Sequence, residues 1–331
     1  MSDLVMRLAI LAAALAFGLV GLVRALAVRH GVLDHPSERS SHATVTPRGG
    51  GLGLILTVLL LGVWLGTRPF DGVVLLVLVG AALVATVGWV DDRRGLSVRT
   101  RLAVHVTAGA LVGVVAADVD ATMAVRLLLF AWWTFWTVSS INLVNFMDGI
   151  NGLVASQVAI FALSLALFSG GATIVPALAI VLSAACVGFL PWNFPRARIF
   201  LGDVGSGGLG YLVPALALLA NHADGVGFVP AHLALLPLYV DAVWTIFRRW
   251  RNGERITTPH RSHLYQRLAN GGMGHTAVTI IYAVAAAGGA LAAHAGRQSW
   301  LTGWTAAYVC ATIVVGLLLH RHASRPTSTA S

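Results

Sequence analysis

Lysine is missing from this 331-residue chain: all 22 of its basic side chains are arginines. A P-loop needs a lysine on its phosphates, and a Schiff-base or lysine-nucleophile enzyme needs a primary amine, so both are excluded. Arginine still suits phosphate, because its planar fork binds two oxygens at once. Codon bias is the simpler cause of the lysine deficit. Cysteine is scarce too. Cys186 and Cys310 each sit in an apolar run, which argues against a disulfide framework or a cysteine zinc site. Charged residues make up 11% of the chain, against roughly 25% in a soluble domain. Hydrophobic residues make up 57%, and the mean hydropathy is +0.81. The chain therefore reads as membrane-embedded, and its length does not count soluble domains. Its formal charge of +9 then reports topology and does not imply nucleic acid.

Apolar stretches of about membrane length, roughly 17–25 residues, fall at 6–26, 50–67, 73–90, 102–118, 123–141, 152–169, 172–190, 206–220, 226–247, 276–294 and 300–319. The pattern predicts an all-α polytopic protein of eleven spans. One integral membrane domain covers 1–320, and a short polar tail covers 321–331. The first stretch, with Arg7 and an Ala-Leu-Ala, could pass for a signal peptide. The ten stretches that follow favour a first span.

The connections alternate in character. Those at 68–72, 119–122, 170–171, 221–225 and 295–299 are short. Those at 27–49, 91–101, 142–151, 191–205 and 248–275 are long and polar. With tails and adjacent helix ends included, 18 arginines fall on the long-loop side and 4 (Arg7, Arg68, Arg126, Arg297) on the other. The positive-inside rule places the long loops in the cytoplasm, with the N-terminus outside and the C-terminus inside. A bacterial inner membrane is the expected location.

Each long loop carries a polar cluster. The first, "HPSERSSHATVTPRGGG", sets Arg39, His42 and Arg48 before three glycines whose free N–H groups favour anions. The second is "VDDRRGLSVRTR", with Asp91, Asp92, Arg99 and Arg101. In the third, "SSINLVNFMDGINGL", Asn142, Asn145 and Asp148 share one side of a helix end. Two amides and a carboxylate at a membrane border are costly unless used. The fourth, "FLGDVGSGGLGYL", contains a G-x-G-x-x-G match at Gly205 to Gly210. No strand–helix–strand unit surrounds it, so a dinucleotide site is rejected. Asp203, ahead of this Gly/Ser-rich helix start, suits a metal bound to phosphate.

The fifth loop holds Arg261, Arg267 and a His260-x-x-His263 spacing. It lacks the companions of a zinc site, and its arginines suit a diphosphate. Arg248 and Arg249 read instead as surface cations for anionic lipid. Asp241, inside the ninth stretch, is a functional candidate by its position alone. It either faces the acidic cluster or pairs with an arginine near the border.

Taken in order, "TPRGGG", "VDDRRGLSVRTRL", "NLVNFMDGINGL", "FLGDVGSGGLGYL" and "HRSHLYQRL" resemble the polyprenyl-phosphate N-acetylhexosamine-1-phosphate transferase superfamily, over about residues 30–275. The peptidoglycan translocase typically has three consecutive histidines in the fifth loop, and the common-antigen enzyme a His-x-His-His. "PHRSHLYQRL" looks instead like the O-antigen or capsule-initiating branch.

The resemblance implies attack by a polyprenyl phosphate on the β-phosphorus of a UDP-N-acetyl-sugar, with UMP leaving. It implies Mg²⁺, with Mn²⁺ as the alternative ion, on Asp203 with Asp92 and Asn145. Asp91 would activate the lipid phosphate, or both acids would mainly place the metal. Asn145 and Asp148 would contact the nucleotide or order the metal site. His260, Arg261 and His263 would hold the diphosphate. A homodimer is compatible with this reading. The competing readings are the peptidoglycan translocase, a lipid diphosphate phosphatase and a secondary transporter. Transporters place polar groups near the bilayer midplane, whereas here they line one face.

Overall fold

The computed structural model of the chain describes residues 3–36, 44–68, 70–117, 120–169, 174–255, 258, 260–296 and 303–322. Among the described residues, each of the eleven apolar stretches overlaps helix. The helices are α1 (Asp3–Arg29), α2 (Gly51–Gly66), α3 (Gly72–Arg94), α4 (Val98–Ala116), α5 (Met123–Phe146), α6 (Leu153–Phe168), α7 (Val175–Asn193) and α8 (Gly202–Asp224). They continue with short α9 (Phe228–His232), α10 (Leu236–Arg251), short α11 (Leu264–Leu268), α12 (Gly274–Ala295) and α13 (Gly303–His322). Among the described residues, eight helical stretches are long and apolar enough to cross a membrane. Gly51–Gly66, Leu153–Phe168 and Thr305–His320 are shorter apolar helices.

Local chemistry sets several boundaries. Asp71 caps α3 by accepting from the N–H groups of Val73 and Val74, both at 3.0 Å. Ser97 caps α4 through the Thr100 N–H at 3.1 Å. Gly95, at φ +66°, stops α3 in a backbone region that costs other residues energy. A two-residue antiparallel pairing, β1 (Leu33–Asp34) with β2 (Thr46–Pro47), brings the chain from α1 back to the start of α2.

The bundle is built around α8. Its most apolar stretch is 94% buried, and it packs against α2, α3 and α5. The glycines of "GSGGLG" make this possible. A methyl at Gly51 on α2 would overlap the Gly205 Cα, and one at Gly210 would meet the Ile141 backbone of α5. Lipid tails give helices no hydrophobic reason to associate, so close backbone approach through small residues takes that place. Outside this centre, α1 packs on α7, α7 on α6, α4 on α5, and α12 on α6 and α13. Leucines such as Leu11, Leu60, Leu127, Leu128 and Leu291 are exposed on the outward faces of α1, α2, α5 and α12, where lipid would cover them. The chain is a multi-pass membrane protein.

One difference from the sequence-based expectation matters for the site. Asp91, Asp92 and Asp203 were expected in loops, yet they lie on the terminal turns of α3 and α8, while Asn142 and Asn145 lie at the end of α5 as expected. Counting apolar residues stops at the hydrocarbon border, whereas a helix continues as long as its end groups find partners.

Candidate active site

The ends of α3 and α5 meet the start of α8, and Arg48 precedes α2 beside them. Asp92 accepts hydrogen bonds from the backbone N–H groups of Asp203 and Val204, at 3.0 and 3.2 Å. These are unpaired donors of the first turn of α8, and a helix start favours an anion. The Arg48 Nε lies 2.7 Å from the same carboxylate. Gly88, one turn earlier on α3, has no room for a side chain against the Asp203 backbone. Asp91 accepts from the Leu96 N–H at 2.5 Å and from Arg101 at 2.7 Å. Both aspartates are thus held inside the protein, with side chains 2% and 8% exposed.

Asp203 and Asp148 are less committed. Asp203 accepts from the Asn145 amide at 3.0 Å, with Arg48 at 3.6 Å and Arg101 at 3.8 Å. That amide nitrogen also donates to Ser206 at 2.9 Å, which orients Asn145. Among the described residues, no hydrogen bond or ion pair reaches the Asp148 carboxylate. Burial, then the facing Asp203 and Asp92 charges, push Asp148 up to about 7 against the pull of Arg48. Arg48 is affected in two senses. Burial lowers its pKa, but Asp92, Asp203 and other carboxylates outweigh this and raise it.

Two cavities flank the cluster. A polar one of about 260 Å³ is lined by Asp34, Arg48, Asn145, Asp148, Asn151, Asn193, Asp203, Gln266 and His275, with backbone between. A smaller one of about 110 Å³ touches Asp91, Arg101, His105, Asn142, Asn145 and Asp203. Asn145 and Asp203 wall both. Asn142, whose amide donates to Val138 O at 2.7 Å, also borders an open apolar groove between α5 and α10. Four carboxylates face two guanidiniums here, an excess of negative charge that a cation would neutralise.

The structure therefore brings together Arg48, Asp91, Asp92, Arg101, Asn142, Asn145, Asp148 and Asp203. Arg39 and His42 lie outside the described residues. Arg99 is exposed and borders neither cavity. Of the fifth loop, the predicted residues His260, Arg261, His263 and Arg267 do not line the polar cavity, although Gln266 and His275 do. His263 is 2% exposed and stacks near Phe146, His260 and Tyr265. His260 bonds Ser262 at 2.9 Å, and burial followed by nearby cations lowers it to about 4. Arg261 is half-buried, and Arg267 donates to the His320 carbonyl at 3.1 Å.

One expectation needs correction. Arg249 is not a surface cation for lipid. Arg249 is 3% exposed and donates to Glu254, Thr258 and the Arg255 carbonyl. Arg248 donates to the Ser262 carbonyl at 2.8 Å. Each guanidinium satisfies loop carbonyls that would otherwise lack donors. Asp241 is settled as well: it faces α11, not the acidic cluster.

Sequence reasoning missed Asp34, His105, Asn151, Asn193, Gln266 and His275. Asn193 was legible in part: a lone amide between two prolines suggests a backbone tie, and it accepts from the Gly152 N–H at 2.6 Å. Nothing in the spacing marks the others.

Fold and site together define an integral membrane protein whose polar chemistry is gathered at one end of a helical bundle. The profile of glycosyl transferase family 4 matches residues 74–221. A decaprenyl-phosphate N-acetylglucosaminephosphotransferase of Mycobacterium tuberculosis is 32% identical over 318 residues, covering 82% of this chain and 77% of that protein. A probable undecaprenyl-phosphate N-acetylglucosaminyl 1-phosphate transferase of Bacillus subtilis is 29% identical over 281 residues, covering 80% and 77%. A phospho-N-acetylmuramoyl-pentapeptide-transferase of a Synechococcus strain is 31% identical over 256 residues, covering 70% and 74%. The chain belongs to the polyprenyl-phosphate N-acetylhexosamine-1-phosphate transferase superfamily.

Proposed function

We propose that this protein is an enzyme that transfers an N-acetylhexosamine 1-phosphate from a UDP-sugar to a polyprenyl phosphate. An oxygen of the lipid phosphate attacks the sugar-bearing phosphorus of the nucleotide. The bond from that phosphorus to the bridging oxygen breaks, and UMP leaves with the electron pair. The product is a polyprenyl-diphospho-sugar. N-acetylglucosamine is the sugar favoured by the two most extensively matched relatives above. The fifth loop "PHRSHLYQRL" favours a role at the start of O-antigen or capsule synthesis. The arginine asymmetry favours a cytoplasmic site in an inner membrane.

The observation that carries this reading is the shared wall of Asn145 and Asp203 between a polar cavity and one that adjoins an apolar groove. A water-soluble sugar nucleotide suits the first. A lipid phosphate, approached along an apolar surface, suits the second. Arg48 and Arg101 each bridge two acids of the cluster, so positive charge stands on both sides of the wall.

The residues present fit a divalent cation. Among the described residues no group of three His, Cys, Asp or Glu side chains forms a ready site. Mg²⁺ needs none: it is commonly held by one or two carboxylates, with substrate phosphates and water completing its shell. Asp203 and the uncommitted Asp148 supply the carboxylates, with Asn145 beside them. Asp92, closed by Arg48 and two backbone N–H groups, keeps α8 in place. Bound there, the ion would neutralise charge on the diphosphate. Asp91, held by Leu96 and Arg101, either takes the acceptor's proton or orients Arg101 towards it. A phosphate monoester has a second pKa near 6, so little proton transfer is needed at neutral pH.

The test is UMP release by purified protein given undecaprenyl phosphate, Mg²⁺ and a panel of UDP-N-acetyl-sugars that includes UDP-N-acetylmuramoyl-pentapeptide. Lipid-dependent UMP release with an N-acetylhexosamine donor is expected. Release only with the pentapeptide donor would instead make the protein a peptidoglycan translocase.

A further inference from the structure

We infer that Asp241, a buried acid outside both cavities of the cluster, is a positioning residue that seats one wall of the sugar-nucleotide cavity; this rests on the function proposed above. Asp241 lies on α10 and is 2% exposed. Its Oδ1 accepts from the Leu264 N–H at 2.7 Å and from Thr245 Oγ1 at 3.2 Å. Its Oδ2 accepts from the Tyr265 N–H at 3.0 Å and from the Tyr282 hydroxyl at 2.7 Å. His320 Nε2 and His263 Nδ1 lie 3.5 and 3.8 Å from Oδ1. One carboxylate thus joins α10, α11, α12, α13 and the fifth loop.

The element it holds is small. Five residues are far too few for α11 to persist by itself. From the other side, the Tyr265 hydroxyl donates to the Phe146 carbonyl at 3.1 Å. The same ring packs on Gly149, which has no room for a side chain there. Asp148 stands between those two contacts, so α11 is pinned against the backbone that carries the uncommitted carboxylate. The next residue, Gln266, is 8% exposed, lines the polar cavity and has an Oε1 with no hydrogen-bond partner. Buried amide oxygens are rarely left unpaired, so Gln266 keeps a free acceptor at the edge of the cavity, which a small shift of α11 would open or close to its contents.

A charge is a costly way to hold a helix. Well-packed apolar residues in place of a buried ion pair often leave stability unchanged or improved. What a carboxylate adds is direction: it fixes two backbone N–H groups and a hydroxyl in one geometry. The position of α11, and with it Gln266, then depends on Asp241. The last helix, α13, completes the seat through His320.

The test compares the full chain in nanodiscs with its Asp241→Asn, Asp241→Leu and Tyr282→Phe variants. Two measurements are made: hydrogen exchange over 260–273, and KM for UDP-N-acetylglucosamine and for undecaprenyl phosphate. Asp241→Asn is expected to speed exchange over 260–273 while α8 stays protected. It should raise KM for the sugar nucleotide about tenfold and leave KM for the lipid unchanged. Asp241→Leu should restore thermal stability without restoring that KM. Tyr282→Phe should shift both readouts the same way, but less. Wild-type exchange and KM in a folded Asp241→Asn variant would overturn the inference. So would parallel loss of both KM values with the folded fraction, the mark of a merely structural residue. If wild-type protein releases no UMP from any donor, the proposed reaction fails; exchange over 260–273 still decides whether Asp241 seats α11.

Discussion

Lowering pH should relieve the destabilising charge of Asp148 in the cation-free protein, and the size of that contribution follows from the site. Asp148 is raised to about 7 in the folded chain, whereas an unfolded aspartate titrates near ~3.9. The folded state therefore binds a proton between pH 8 and pH 6 that the unfolded state does not. A raised carboxyl destabilises the fold at high pH, and that penalty is relieved as pH falls through 7. From pH 8 to pH 6 the protonated fraction rises from about a tenth to about nine-tenths, worth about 1.4 kcal/mol. For a chain of 331 residues that is an apparent melting shift of roughly 2 °C.

His260 acts in the opposite sense. It is held down to about 4, so the unfolded state gains a proton there as pH drops. The comparison is therefore between wild type and Asp148→Asn, in EDTA, by thermal unfolding in detergent at pH 8, 7 and 6. Wild type should gain about 1.4 kcal/mol relative to the variant, and millimolar Mg²⁺ should erase the difference by competing with the proton. Parallel pH curves for the two proteins would refute the assignment of Asp148 as the uncommitted carboxylate.

Other expectations follow from the same geometry. Asp203→Asn should abolish UMP release while the protein remains inserted, as judged by membrane extraction and gel filtration; near-normal turnover would remove Asp203 from the cation site. Gly51→Leu should prevent α2 from closing on α8, at a cost above the roughly 1–3 kcal/mol of ordinary overpacking; a monodisperse variant with wild-type melting would contradict the backbone contact at Gly205. Arg249→Ala should open the fifth loop to limited proteolysis over 252–262, whereas exposed Arg93→Ala should leave it protected. Equal cleavage of both would mean that Arg249 does not organise that loop.

The sequence displayed the helices because membrane spans are written in composition, and it displayed the cluster because polar residues at a lipid border stand out. Asp91, Asp92, Asn145, Asp148 and Asp203 were all visible in that way. What it did not display was the division of labour among them. Asp92 and Asp203 are 111 residues apart in the chain, and only their tertiary contact shows that one caps the helix bearing the other. The glycines of "GSGGLG" matched a nucleotide fingerprint in letters; their use is helix packing, which depends on what lies opposite. Gln266 escaped, and Asp241 stood out as a candidate without a role, because an amide and an acid with no neighbouring partner in sequence reveal their role only when four helices converge.

The burial of α8 has a consequence for how the protein meets its surroundings. The helix that carries Asp203 touches almost no lipid, and its neighbours α2, α3 and α5 fit it through backbone contacts that leave no space to slide. Changes in bilayer thickness or lipid composition act on α1, α4, α12 and α13 and on the outward faces of α2 and α5. The centre behaves as a rigid insert within a compliant sleeve. Relative rates for different sugar donors should therefore stay the same from one bilayer to another, even where the absolute rate changes.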